Sequence, residues 1–184
     1  MAGETLTSHW GSKPLKPSIH RLQFLRGDFS GSRRGIRPPW ARSEAEFTDR
    51  CERCGDCIAA CPVGILRQAT GGFPVVDFAL GACIFCGKCA LACRHDAFAT
   101  PDYPDTPAWQ LDVAIGDQCL SRKGVVCRSC GEACESVAIR FRLMTGGRAQ
   151  PTLDPIRCNG CGTCFAVCPV RCISISPGAD DCAA

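Results

Sequence analysis

No stretch of this chain comes near the ~18 consecutive apolar residues that span a membrane. The opening Met1-Ala-Gly-Glu-Thr-Leu-Thr-Ser-His-Trp10 holds no apolar run of signal-peptide length. One helical period stands out ahead of the first proline pair. Pro17 suits a first turn, Ile19, Leu22 and Leu25 fall on one side, and Gly27 stops the run, so a short helix is expected over Pro17 to Arg26. Arg37-Pro38-Pro39-Trp40 then breaks regular structure. Further on, hydrophobic periodicity gives way to punctuation: Gly71-Gly72 with Pro74 and Asp77, and later Gly146-Gly147 with Pro151 and Asp154. The pattern predicts an α+β chain with little regular secondary structure, written twice.

Composition explains how so little periodicity can fold. Eighteen of 184 residues are cysteine, and aromatic residues make up only 7%. Large rings normally dominate buried area, so bound metal has to contribute, its binding energy adding to folding. A secreted disulfide scaffold is the plain alternative, but it needs an oxidising compartment. Charge is uneven. Before residue 47 there are eight basic residues (Lys13, Lys16, Arg21, Arg26, Arg33, Arg34, Arg37, Arg42) against four acidic ones (Glu4, Asp28, Glu44, Glu46), while the remainder is balanced. The expected division is a basic arm over 1–46, one module over 47–100, a linker over 101–117 around the proline-rich Thr100 to Pro107, a second module over 118–176, and a tail over 177–184.

The cysteines decide the chemistry. Cys51/Cys54/Cys57/Cys61, Cys83/Cys86/Cys89/Cys93 and Cys158/Cys161/Cys164/Cys168 each follow C-x2-C-x2-C-x3-C, the bacterial ferredoxin run of iron–sulfur proteins. Three thiolates so spaced can wrap one face of a cubane if the loop is tight and its amides point inward. Gly55, Gly87, Gly160 and Gly162 permit that curl. The fourth cysteine ligates the other cluster of its pair. It is expected to begin a following helix, with Pro62 and Pro169 at a first helical position. Structural zinc favours two separated cysteine pairs, which this is not. The expected fold is therefore two tandem bacterial-ferredoxin-like 2[4Fe–4S] modules.

The third group departs from the run. Cys127-x2-Cys130-x3-Cys134 is present, but the first cysteine lies back at Cys119. Either Cys119 reaches in across the intervening loop, with Ser121, Lys123 and Gly124 forming an exposed excursion, or the site is incomplete and holds [3Fe–4S]. The two-module repeat predicts sequential pairing: Cys51, Cys54, Cys57 with Cys93; Cys83, Cys86, Cys89 with Cys61; Cys119, Cys127, Cys130 with Cys168; Cys158, Cys161, Cys164 with Cys134. A crossed arrangement of outer with outer groups is the rival. Cys172 is expected to be a small buried side chain, Cys182 a spare thiol in the tail, and His95 a polar turn residue. No nucleotide-binding glycine loop and no nucleophile–base set competes with metal ligation, so about four [4Fe–4S] clusters carrying single electrons, without substrate turnover, is the expected chemistry.

Ser32-Arg33-Arg34-Gly35-Ile36-Arg37 looks like the start of a twin-arginine signal, but Pro38 to Glu44 is not the apolar segment such a signal needs, so a cytoplasmic location is expected. No nucleic-acid reader is visible. The arm is either a solvated tail or a docking segment in which Trp40 anchors and the arginines steer.

From about residue 30 to 176 the chain resembles the NapF family of ferredoxin-type accessory proteins of periplasmic nitrate reductase systems. The likeness lies in Arg33-Arg34-Gly…Arg37-Pro-Pro-Trp40, the three regular runs, Ile115-Gly-Asp-Gln-Cys119 and the final Cys158-Asn-Gly-Cys-Gly-Thr-Cys164. The resemblance implies a cytoplasmic protein that contacts the molybdenum-containing catalytic subunit before export and assists its maturation with electrons or iron–sulfur material. The competing reading is an iron–sulfur subunit wiring an oxidoreductase complex.

Overall fold

The structure, a computed structural model, describes residues 35–69, 71–101, 107–146 and 148–178. The expected helix over Pro17 to Arg26, and Cys182, lie outside them. Each module is built around a short antiparallel hairpin. In the first, β1 (Leu66–Gln68) pairs with β2 (Pro74–Val76), Leu66 opposite Val76. In the second, β4 (Ile139–Leu143) pairs with β5 (Ala149–Leu153), Ile139 opposite Leu153. The repeated aspartates have the same task in both. Asp77 Oδ1 accepts the amide of Ala79 at 3.0 Å and Asp154 Oδ1 that of Ile156 at 3.1 Å, each closing an Asx turn into the next cysteine loop.

Four helices are single turns wrapped around the third cysteine of each group: α2 (Asp56–Ala59) carries Cys57, α3 (Lys88–Leu91) Cys89, α4 (Ser129–Glu132) Cys130 and α5 (Thr163–Ala166) Cys164. They end before the fourth cysteine. The helix expected after Cys61 and Cys168 is not there; Pro62 and Pro169 open a turn that feeds β1 and β6 (Ile173–Pro177) instead. The reason is a left-handed residue three positions after each fourth cysteine. Gly64 (φ 72°), Asp96 (52°), Val137 (52°) and Arg171 (47°) all turn the chain there, which a right-handed helix forbids.

Two more expectations are corrected by tertiary packing. The segment given to the linker contains β3 (Leu111–Ile115), paired along its whole length with β6. The end of the basic arm does the equivalent job for the first module. Residues 40–42 run beside 97–99, with Ala99 N–H donating to Trp40 O at 2.8 Å and Arg42 N–H to Ala97 O at 3.1 Å. Trp40 is buried, not an exposed anchor, and Arg37 is held in place by Glu44 of α1 (Glu44–Arg50), at 2.6 and 2.8 Å. Arg37 also lies 5.2 Å from the Phe47 ring and 5.1 Å from the Phe73 ring, a cation–π arrangement.

The main core gathers Phe47, Ile65, Leu66, Phe78, Ala97 and Phe98 of the first module, with Trp109, Leu111, Phe165 and Ile175 packed against it from the second. A smaller one centres on Ile139, Cys164 and Ile173. Between the modules Cys83 N–H donates to Cys161 O at 2.8 Å, and Trp109 Nε1–H donates to Asn159 O at 3.1 Å. Phe78 lies against Gly162 so closely that a Cβ there would stand 2.0 Å from its Cδ1. The cysteine loops of the second and fourth groups thus meet backbone to backbone.

Candidate metal centres

Each one-turn helix starts from a bend that aims its cysteine inward. Gly55 (φ 84°), Gly87 (69°) and Gly162 (85°) are left-handed at that bend, where a Cβ would be strained. The residue before each second cysteine is left-handed as well: Arg53 (58°), Phe85 (52°) and Gly160 (74°). Two reversed bends in five residues coil the loop, and its amides face the sulfurs, as with Phe85 N–H, 3.4 Å from Cys83 Sγ.

The structure brings the cysteines together in four sets. At the first, burial above all, then the neighbouring Cys51, Cys54 and Cys93, push the Cys57 thiol up to about 11. At the second, Cys61, Cys83, Cys86 and Cys89 line one solvent-open cavity. Burial, opposed by the Phe85 amide and reinforced by Cys86 and Cys61, raises Cys83 to about 11, and burial with Cys83 beside it raises Cys89 to about 12. The third set, Cys119, Cys127, Cys130 and Cys168, lines another such cavity. There burial, then Cys119 and Cys127, raise Cys130 to about 11. At the fourth, burial raises Cys158 against the Gly160 amide, with Cys161 and Cys134 adding to the rise, and burial with Cys161 and Cys158 lifts Cys164 to about 12.

Cys134 and Cys168 go the other way. Burial opposes ionisation at both, but the turn after each outweighs it. Ser136 Oγ and the amides of Ile139 and Ala138 face Cys134; the amide and thiol of Cys172 with the amides of Val170 and Arg171 face Cys168. The left-handed residues Val137 and Arg171 curl these turns so that their N–H groups converge on sulfur.

The third set shows where Cys119 stands. It is buried and shares a cavity with Cys127 and Cys130, carried there by a turn whose far side, Lys123 and Gly124, is exposed as expected. Lys123 N–H donates to Cys119 O at 3.1 Å and Val125 N–H to Leu120 O at 2.9 Å. Ser121, expected outside, is buried and donates its hydroxyl to Ala149 O on β5. Cys172 also differs from expectation: it is half-buried and lines the third cavity with its Sγ 3.6 Å from Cys168 Sγ. His95 is exposed.

The donor set fits an iron–sulfur group. It is all thiol, the soft ligand type that such clusters take. Among the described residues no group of three or more His, Cys, Asp or Glu is placed to hold a single metal ion. Trp40 adds a second observation. Its indole N–H is buried at the wall of the second cavity with no partner in the protein, and buried donors are seldom left so. A sulfur in that cavity would satisfy it.

Comparison with known proteins agrees. Residues 50–98 and 125–172 each match the 4Fe-4S dicluster domain. The chain is 43% identical over 160 residues to the ferredoxin-type protein NapF of Escherichia coli (strain K12), covering 87% of this chain and 96% of that one. The chain belongs to the NapF family. The Haemophilus influenzae NapF is 42% identical across 94% of its length. A methylamine utilization ferredoxin-type protein, MauM of Methylorubrum extorquens, is 32% identical over 151 residues, covering 73% of this chain and 68% of the relative. This NapF-family chain is an iron–sulfur electron-transfer protein with two dicluster modules in tandem. Among its described residues no helix is long and apolar enough to cross a membrane.

Proposed function

We propose that this protein serves in the cytoplasm as a redox-active accessory factor for the molybdenum-containing catalytic subunit of periplasmic nitrate reductase, without turnover of its own. The sixteen cysteines from Cys51 to Cys168 are its iron ligands, each regular or stretched triplet completed by the fourth cysteine of its partner group within the module. Four [4Fe–4S] clusters follow, the third completed by Cys119. Bound there, the clusters supply one-electron chemistry. The chain's own part is to hold thiolates in inward-facing amide loops and to keep the loops of Cys83 and Cys161 hydrogen-bonded across the modules.

The observation that carries the functional reading is likeness to NapF over nearly that protein's whole length. MauM, whose name ties it to methylamine utilization, shares a weaker likeness, so the dicluster scaffold alone does not select a partner. Specificity is then sought outside the cysteine loops, in the arm before residue 35. The decisive experiment co-expresses the protein with the nitrate reductase catalytic subunit in immature and exported forms. Capture of the immature cytoplasmic form in preference to the exported one is expected. Equal capture of both, or stable co-purification with an active complex in steady-state turnover, overturns the reading in favour of a wiring subunit.

A further inference from the structure

The third cavity holds one cysteine too many. Four thiols complete each cubane, and the third cavity is lined by five: Cys119, Cys127, Cys130, Cys168 and Cys172. We propose that Cys172 is an alternate iron ligand at the third cluster, interchangeable with Cys168. The proposal rests on the cluster reading above.

Spacing is the first support. Two thiolates bound about 2.3 Å from one tetrahedral metal stand about 3.8 Å apart, and the sulfurs of Cys168 and Cys172 are 3.6 Å apart. They therefore occupy positions that the same iron corner can reach in turn, with little movement of either side chain. Backbone fixation is the second. The Cys172 carbonyl accepts Gly116 N–H at 2.7 Å, and its own amide points at Cys168 Sγ at 3.4 Å. Gly116 O in turn accepts the amide of Cys119, so the same glycine anchors the displaced ligand and the extra one. Cys172 is thus held at the metal site by the β3–β6 pairing. A small hydrophobe filling space would need none of this.

The exchange balances without a redox partner. The iron–sulfur bond to Cys168 breaks, the bond to Cys172 forms, and the proton leaving the Cys172 thiol passes to Cys168; no electron moves. The consequence falls on the site whose first ligand arrives on the longest loop. A fifth thiolate lets that cluster survive partial loss of its ligands, or be released one ligand at a time.

The test is iron and sulfide counting, with low-temperature EPR, on the full chain purified anaerobically. The wild type should hold about sixteen irons; a wild type free of iron would refute the cluster reading itself, apart from this proposal. Cys168→Ala and Cys172→Ala should each keep the wild-type iron count, with the EPR signal of one cluster altered in Cys168→Ala. The double variant should lose about four irons, and Cys93→Ala, whose site has no fifth thiol among the described residues, serves as the single-replacement loss to compare. Loss of about four irons in either single variant at position 168 or 172 overturns the proposal. So does a double variant that retains them all.

Discussion

The third cysteine group gathers its thiols on a different backbone from the other three. Where the run is regular, the residue after the second cysteine must be left-handed, and it is glycine each time: Gly55, Gly87, Gly162. In the third group that place is Arg128, at φ −132°, an ordinary conformation that any residue adopts. Moving the first ligand back to Cys119 lets the chain come into the helix turn from another direction, and the need for glycine disappears. What stays constant in all four groups is the left-handed residue three positions after the fourth cysteine, tolerated even as β-branched Val137. The chain's approach to a site can be rebuilt; its departure cannot, since that turn aims the amides that hold the fourth sulfur.

The comparison breaks most sharply at Cys119. If the stretched loop replaces the regular one in full, Cys119→Ser should cost the same ~four irons as Cys51→Ser, together with much of the second module's stability. Among the described residues that module has the smaller buried cluster, three residues against ten, so it should lean harder on metal. An unchanged iron count, or a three-iron EPR signal already present in wild type, would show that the stretched loop does not complete its site. Next in size is glycine at the bend. Gly162→Ala puts a Cβ 2.0 Å from the Phe78 ring in a left-handed conformation, and a loss of about 3 kcal/mol or more in denaturation is expected. Arg128→Gly in the third group should be nearly neutral. Equal losses at both positions would mean that the regular and stretched loops meet their helices in the same way after all.

Smaller effects test the module ends. Arg37→Ala removes a bidentate pair with Glu44 and two ring contacts, so thermal melts should report about 1–2 kcal/mol lost with iron unchanged. A change confined to partner binding would instead return Arg37 to the arm. Least of all is the pH dependence at Asp96, whose carboxyl lies below its ordinary 3.8, mainly through the hydrogen bond from Arg42. Because the folded value is the lower one, this pair stabilises at neutral pH and its contribution fades as pH falls through that range. Asp96→Asn, still suited to a left-handed turn, should flatten the acid limb slightly; an unaltered limb would leave the pair without weight.

Much of the candidate site was legible because the cysteines that a cubane would take are mostly local. Spacings of two and three residues are fixed by loop geometry, and the Gly-Gly…Pro…Asp repeat marks the hairpin and Asx turn. What the chain hides is anything that depends on distant partners. Trp40 looks like an exposed anchor until Phe85, 6.4 Å away, and Ala108, whose carbonyl takes its amide at 2.6 Å, cover it. Residues 111–115 look like linker because their partner strand, Ile173–Pro177, lies far along the chain. Ser121 looks like a loop tip because the carbonyl it reaches belongs to another hairpin. The helices expected after Cys61 and Cys168 fail for a reason of a different kind. Proline suits a helix start and a turn alike, and only backbone φ at Gly64 and Arg171 separates them.

Finally, the seam between Cys83 and Cys161 makes halving the chain costly in a particular way. Cut between the modules, one fragment would expose Phe78 without the glycine it rests on, and the other would leave the Asn159 carbonyl without its indole donor. Both scars fall on the very loops that gather the cysteines. Either half made alone should therefore assemble the centre at its seam loop, that of Cys83 or of Cys161, poorly and clump through that face, while mixing the two halves should restore both.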